Sequence, residues 1–160
     1  MPNWIMNKIK VGNIKAIKEC VTKNESGVEE YDFNKIIPMP DNIYRGNLGM
    51  KEREKYGENN WYDWSIKNWG TKWNADNYYR VGNSEFSIQT AWATPEPVIK
   101  EMSRKYNCTV EVRYADEDCG YNCGEYIYRK GELINEWNPE FGTDEARKFA
   151  NETWEYEGDE

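Results

Sequence analysis

Trp61, Trp64, Trp69, Trp73 and Trp92 crowd one stretch of this chain, with Asn68 and a Gly70-Thr71-Lys72 turn among them. Two roles fit that set. An indole offers a flat π-face on which a nucleobase stacks whatever its sequence context. Lys72 and neighbouring main-chain amides could then hold a phosphate, with Gly70 letting the backbone approach closely. On this reading the ligand-binding residues are Trp61, Trp64, Asn68, Trp69, Lys72 and Trp73. The other role is packing: the rings seat helices on a sheet, and Lys72 covers one of them with its stem.

The second chemistry is acidic. Residues 111–160 hold 15 acids and 5 bases, whereas residues 1–110 hold 14 acids and 16 bases. Asp116, Glu117, Asp118, Glu132, Glu136, Glu155 and Glu157 mark a surface suited to a basic partner protein. The alternative is a solvated face and a frayed tail. Direct nucleic-acid binding is disfavoured, because phosphate contacts need a basic footprint.

Little here suggests catalysis. The chain has no histidine, the one side chain that shuttles protons near neutrality at its ordinary pKa. No carboxylate pair or activated nucleophile stands out, so no catalytic residue is assigned. Cys20, Cys108, Cys119 and Cys123 lack the C-x-x-C spacing of a zinc knuckle. Asp116-Glu117-Asp118 lacks the spaced ligands of a calcium loop. Neither a metal nor a cofactor is expected, and the thiols are expected to be reduced.

The elements that must position these residues fit one domain of 160 residues. A mean hydropathy of -1.04 is low, but 15% aromatic content supplies burial that aliphatic counts miss. No apolar run is long enough to span a membrane, and Met1-Pro2-Asn3-Trp4 does not open a signal peptide. A soluble, cytoplasmic protein without membrane partners is expected.

Ile5, Ile9 and Val11 alternate as a strand, and Ile14–Lys23 has helical spacing. Residues 32–40 read as extended and proline-punctuated; 41–59 read as a polar excursion with a short helix near Met50–Tyr56. Trp61–Trp69 reads as a helix stopped by Gly70, and Asp76–Val81 with Glu85–Trp92 as a hairpin. Phe86, Ile88, Thr90 and Trp92 share a face of its second strand. Thr94-Pro95 opens a helix carrying Val98, Ile99, Met102 and Tyr106; Thr109–Tyr114 alternates as a strand. A hairpin through Lys130-Gly131 follows, and Thr143 caps a last helix carrying Ala146, Phe149 and Ala150. The order predicts an α+β fold, a mainly antiparallel sheet with helices packed on one face, ferredoxin-like in kind. Residues 1–142 form that domain, and 143–160 add a helix and an acidic tail.

Several blocks resemble the YubB-type family: Met1-Pro2-Asn3-Trp4, Asp32-Phe33-Asn34-Lys35-Ile36-Ile37-Pro38-Met39-Pro40, Asn68-Trp69-Gly70-Thr71-Lys72-Trp73 and Thr90-Ala91-Trp92 with Pro95 and Pro97-Val98. So do Ser103, Tyr106 and Tyr114. Relatives often carry cysteine where this chain has Ile5, which argues against a thiol role there. The resemblance implies a ferredoxin-like domain and a setting on phages and plasmids. It supplies no catalytic or binding residues. Accessory proteins from that setting frequently act on host machinery or host defence, an inference from context alone.

Two functions follow as expectations. The first is a non-catalytic phage or mobile-element protein that binds and inhibits or modulates a host protein, such as an antiviral defence component, through the acidic surface. The second is a module that sequesters a nucleotide or other small molecule on the tryptophan-rich segment.

Overall fold

The computed structural model describes residues 2–155. Strand β1 (Trp4–Val11) buries Ile5, Ile9 and Val11 on one face, as its alternation requires. A short helix α1 (Lys15–Lys18) follows. The helix expected over Ile14–Lys23 ends early, and Val21–Lys23 instead forms β2, paired with β3 (Glu29–Tyr31). The cause is local. The Asn24 side chain accepts from the amides of Ser26 and Val28 at 2.9 and 3.0 Å, closing a turn that draws β-branched Val21 and Thr22 into a hairpin. Asp32 caps a single 3-10 turn at Phe33–Lys35, so the segment expected to be extended is partly coiled.

The excursion holds α2 (Met50–Tyr56), and α3 (Trp61–Asn68) follows with Asn60 as its N-cap and Gly70 at φ +77° behind it. Next come β4 (Asp76–Arg80), β5 (Glu85–Ala91), α4 (Glu96–Lys105), β6 (Thr109–Asp116), β7 (Cys123–Arg129), β8 (Glu132–Trp137) and α5 (Asp144–Trp154). Six strands form one antiparallel sheet in the order β4-β5-β1-β6-β7-β8. Its first four strands form two interlocked split units: β1 and β4 flank β5, while β5 and β6 flank β1. That is the ferredoxin-like α+β arrangement, and β7 and β8 extend it at the β6 edge.

Helices α1 and α4 share one face of the sheet. Ala16, Ile17, Val98, Ile99 and Met102 pack there on Ile5, Ile9, Phe86, Ile88, Val110 and Val112, each in contact with water over 2% of its surface or less. Burial on this scale stabilises by about 1.5–3 kcal/mol per large apolar side chain. Tyr31, Phe33 and Trp69 close the same core. One buried polar group is built into it: Asn7 Nδ2 donates to Thr90 Oγ1 at 2.9 Å, and Thr94 Oγ1 donates to Asn7 Oδ1 at 2.7 Å. Thr94 was expected to cap α4. Its hydroxyl is spent on Asn7 instead, and Pro95 takes the cap position.

Helix α5 lies on the opposite face, over β6, β1 and β7. Its Ala146, Phe149 and Ala150 meet Ala115 and Cys123 in a small second core. Two cations from the sheet hold its C-terminal turn. Lys8 Nζ donates to the carbonyls of Glu152 and Glu155 at 3.2 and 2.6 Å. Arg113 donates to Thr153 Oγ1 at 2.7 Å and lies 3.8 Å from the Phe149 ring centre. Positive groups belong at this end of a helix dipole. No helix among the described residues is long and apolar enough to cross a membrane.

Candidate functional site

Where α5 crosses the sheet, a cleft of about 580 Å³ opens between it and β8. Trp137 and Phe149 form its floor, their ring centres 5.1 Å apart. Glu125, Glu145 and Glu152 stand around that floor, while Glu136 borders it in β8 with its charge directed to Tyr114, Tyr126 and Tyr128 on the other face of the sheet. The cleft runs on, through Arg113 and Glu125, into a hollow of about 260 Å³ on the open sheet face, where Glu85 and Glu111 add two more carboxylates. Its cations are Arg113 and Lys148, with Lys8 and Lys10 along the hollow. Arg113 pairs with Glu152 at 3.2 Å and holds α5, and Lys10 lies 3.8 Å from Glu85. An apolar floor ringed by carboxylates suits a basic protein segment that also brings an apolar anchor.

Strand β8 bounds this cleft and ends the sheet, and every one of its residues is exposed. Leu133 and Ile134 are 43% and 53% exposed, so the edge carries apolar surface beyond the cleft.

Of the acids expected to meet a partner, Glu136 alone borders the cleft, and its charge is directed to Tyr114, Tyr126 and Tyr128 on the other face of the sheet. Asp116 is 8% exposed and turned inward, accepting from Asn3 Nδ2 at 3.2 Å and from the Asp118 amide at 2.9 Å. It locks a loop and does not belong to an outer face. Glu117 and Asp118 are exposed beside it, and Glu132 is exposed at the opposite end of β8 from Glu136. Glu155 is exposed, its carbonyl bound to Lys8; Glu157 lies outside the described residues. The sequence reading missed Glu125, Glu145, Glu152 and Trp137. Glu145, Phe149 and Glu152 do follow helical spacing on one flank of α5, a signal that could have found half of the site.

The tryptophan set divides. Trp69 is core, 4% exposed, with Nε1 donating to the Ile37 carbonyl at 2.9 Å. Trp64 packs edge-on against it at 5.1 Å, and Asn68 Nδ2 is bound to the Trp64 carbonyl at 2.9 Å. Trp61 is half-buried and donates to the Gly46 carbonyl at 2.9 Å. These residues pack the fold. Trp73 and Trp92 do not: they are 37% and 42% exposed, and Lys72 Nζ lies 4.4 and 4.8 Å from their ring centres. Trp92 was expected on the inner face of β5 with Phe86, Ile88 and Thr90. At φ +71° its backbone leaves the strand and carries the ring outward.

Burial raises the pKa of the Cys108 and Cys123 thiols, away from the reactive thiolate. Tyr114 and Tyr128 are also raised, first by burial and then by hydrogen bonds to Tyr126 and Glu96 respectively. These shifts carry all four groups further from titration at neutral pH.

The model of the family described as "Ferredoxin-like domain in Api92-like protein" matches residues 68–157. Both surfaces above lie within that span. The chain is 29% identical over 110 residues to "Uncharacterized protein YubB" of Escherichia coli strain K12, covering 58% of this chain and 72% of that protein. The crystal structure of the protein api92 from Yersinia pseudotuberculosis aligns with a TM-score of 0.48 and 16% identity, covering 73% of this chain. The alignment covers 44% of the api92 protein, so this chain spans less than half of its length.

Proposed function

We propose, from the premise that the chain belongs to the family of ferredoxin-like domains in Api92-like proteins, that it is a non-catalytic binding protein for a basic partner protein. One observation carries the reading: Glu125, Glu145 and Glu152 surround the Trp137–Phe149 floor while Arg113 is tied to α5. Carboxylates around an apolar anchor site draw in a basic segment and fix its register. In the phage or plasmid setting implied by the resemblance, the partner is a host protein, and binding inhibits or modulates it. An antiviral defence component is the partner class that setting favours.

The test is a quantitative pull-down from bacterial lysate at low and moderate salt, run with the native chain and with Glu125→Lys/Glu145→Lys. A stoichiometric partner that salt weakens and the double variant loses is the expected result. A partner retained equally by both, with the same salt response, overturns the assignment of the cleft.

A further inference from the structure

Trp73, Lys72 and Trp92 form a second surface, to which no residue of the acidic cleft contributes. Large rings usually repay their placement by burial, and these two remain 37% and 42% exposed. Trp92 also holds a left-handed backbone at φ +71°, a conformation that is strained for a bulky residue. The backbone there is fixed from three sides. The Trp92 amide donates to the Asn3 carbonyl at 2.9 Å, Asn122 Nδ2 donates to the Trp92 carbonyl at 3.3 Å, and Thr71 Oγ1 donates to the Ala91 carbonyl at 2.7 Å. Strain is thus maintained to present an indole to solvent. Trp4 stands 5.9 Å from Trp73, and Tyr62 meets Trp92 edge-on at 6.3 Å, so both exposed rings are braced by other aromatics.

A single ammonium lies within 5 Å of both ring centres, so the two indoles flank one cation. Lys72 is a flexible point charge that can leave the rings when a flat group enters. The surface therefore offers stacking faces and a mobile cation together, the complement of a base joined to a phosphate.

We infer that Trp73 and Trp92 clasp the base of a nucleoside phosphate while Lys72 turns outward to its phosphate. The same base-plus-phosphate chemistry occurs in a free nucleotide and in a nucleotide of a single strand. The chain's formal net charge of -8 favours the free nucleotide, since a polyanion is repelled along its whole length.

Isothermal titration of the full chain with adenosine 5′-monophosphate, adenosine, inorganic phosphate and a short oligoadenylate tests this. The monophosphate is expected to bind saturably, adenosine about tenfold more weakly, and inorganic phosphate not at all. Lys72→Ala should erase the preference for the monophosphate over adenosine. Trp73→Ala should weaken both about tenfold or more. Trp92→Gly should do the same in a chain that still folds, because glycine adopts φ +71° without strain. Thermal unfolding of each variant verifies the fold. Tighter binding of oligoadenylate than of the monophosphate supports the site and assigns the base to a strand. No binding of the monophosphate at millimolar concentration overturns the inference, as does an unchanged preference in Lys72→Ala.

Discussion

Lys8 Nζ reaches the Glu155 carbonyl at 2.6 Å, so the first strand of the sheet holds the end of the last helix. Ferredoxin-like sheets leave one face uncovered when their helices share the other. Here α5 is laid across that free face through Ala146, Phe149 and Ala150, with Trp154 packed beside them and its Nε1 donating to the Ala115 carbonyl at 3.0 Å. Lys8 and Arg113 complete the attachment by neutralising the negative end of the helix dipole. The same placement creates the acidic cleft. Phe149 becomes its floor, Glu145 and Glu152 become its wall, and the sheet's own Arg113 is tied to Thr153 and Glu152.

Replacing Lys8 by methionine should therefore loosen the C-terminal turn of α5 without disturbing the main core. The expected cost is about 0.5–1 kcal/mol, the size of a partly exposed cation at a helix C-terminus. Amide hydrogen exchange should accelerate at residues 150–155 and stay unchanged in β1 and β6. Equal acceleration across the sheet would show that Lys8 supports the whole domain.

Most of the sheet was legible because its strands alternate cleanly. Ile5, Ile9 and Val11 in β1 and Val110, Val112 and Tyr114 in β6 point inward as read. Helix α2 likewise matches its expected span of Met50–Tyr56. Failures arose where side chains form bonds that periodicity does not encode. Asn24 turned an expected helix into a hairpin, and Asn7 took Thr94 away from its cap. The acidic cleft was only partly legible, for a geometric reason. Glu125 faces Trp137 through a register that shifts between Ile127 and Tyr128, and α5 reaches that face from the far end of the chain. The exposed pair Trp73 and Trp92 depends on one positive φ angle, which no count of rings reveals.

Stability should fall at alkaline pH. Tyr114 and Tyr128 have pKa values raised above the ordinary phenol value of 10.0, and Cys108 and Cys123 lie above the ordinary thiol value of 9.0, all four chiefly through burial. The native chain thus keeps protons that the unfolded chain releases. Stability is fully present below the unfolded values and is lost as pH rises from about 9 through the folded values, by about 1.4 kcal/mol per pH unit for each proton retained. Urea unfolding between pH 8 and pH 11, run beside phenolate absorbance, measures this. Tyr128→Phe should shallow the decline, since one retained proton is removed. Level stability across that range would show that these groups are open to solvent in the native state.

Asn7 supplies the last prediction, because it is a polar side chain with no exposure in the central strand of the sheet. Its amide group donates to Thr90 and accepts from Thr94, and Thr90 in turn donates to the Ala93 carbonyl at 2.7 Å. The chain entering α4 is thereby fixed to β1 by side-chain bonds, where packing alone would leave its height adjustable. Asn7→Ala strands the hydroxyl of Thr94 and should cost about 1–3 kcal/mol, the penalty of an unmade buried hydrogen bond. Thr94→Val strands only the Asn7 carbonyl oxygen. Because the two changes break the same bond, the double variant should be less destabilised than the sum of the singles. Denaturant midpoints for the four chains measure that coupling. Simple additivity would mean that Asn7 and Thr94 act independently and that α4 is seated by its apolar face alone.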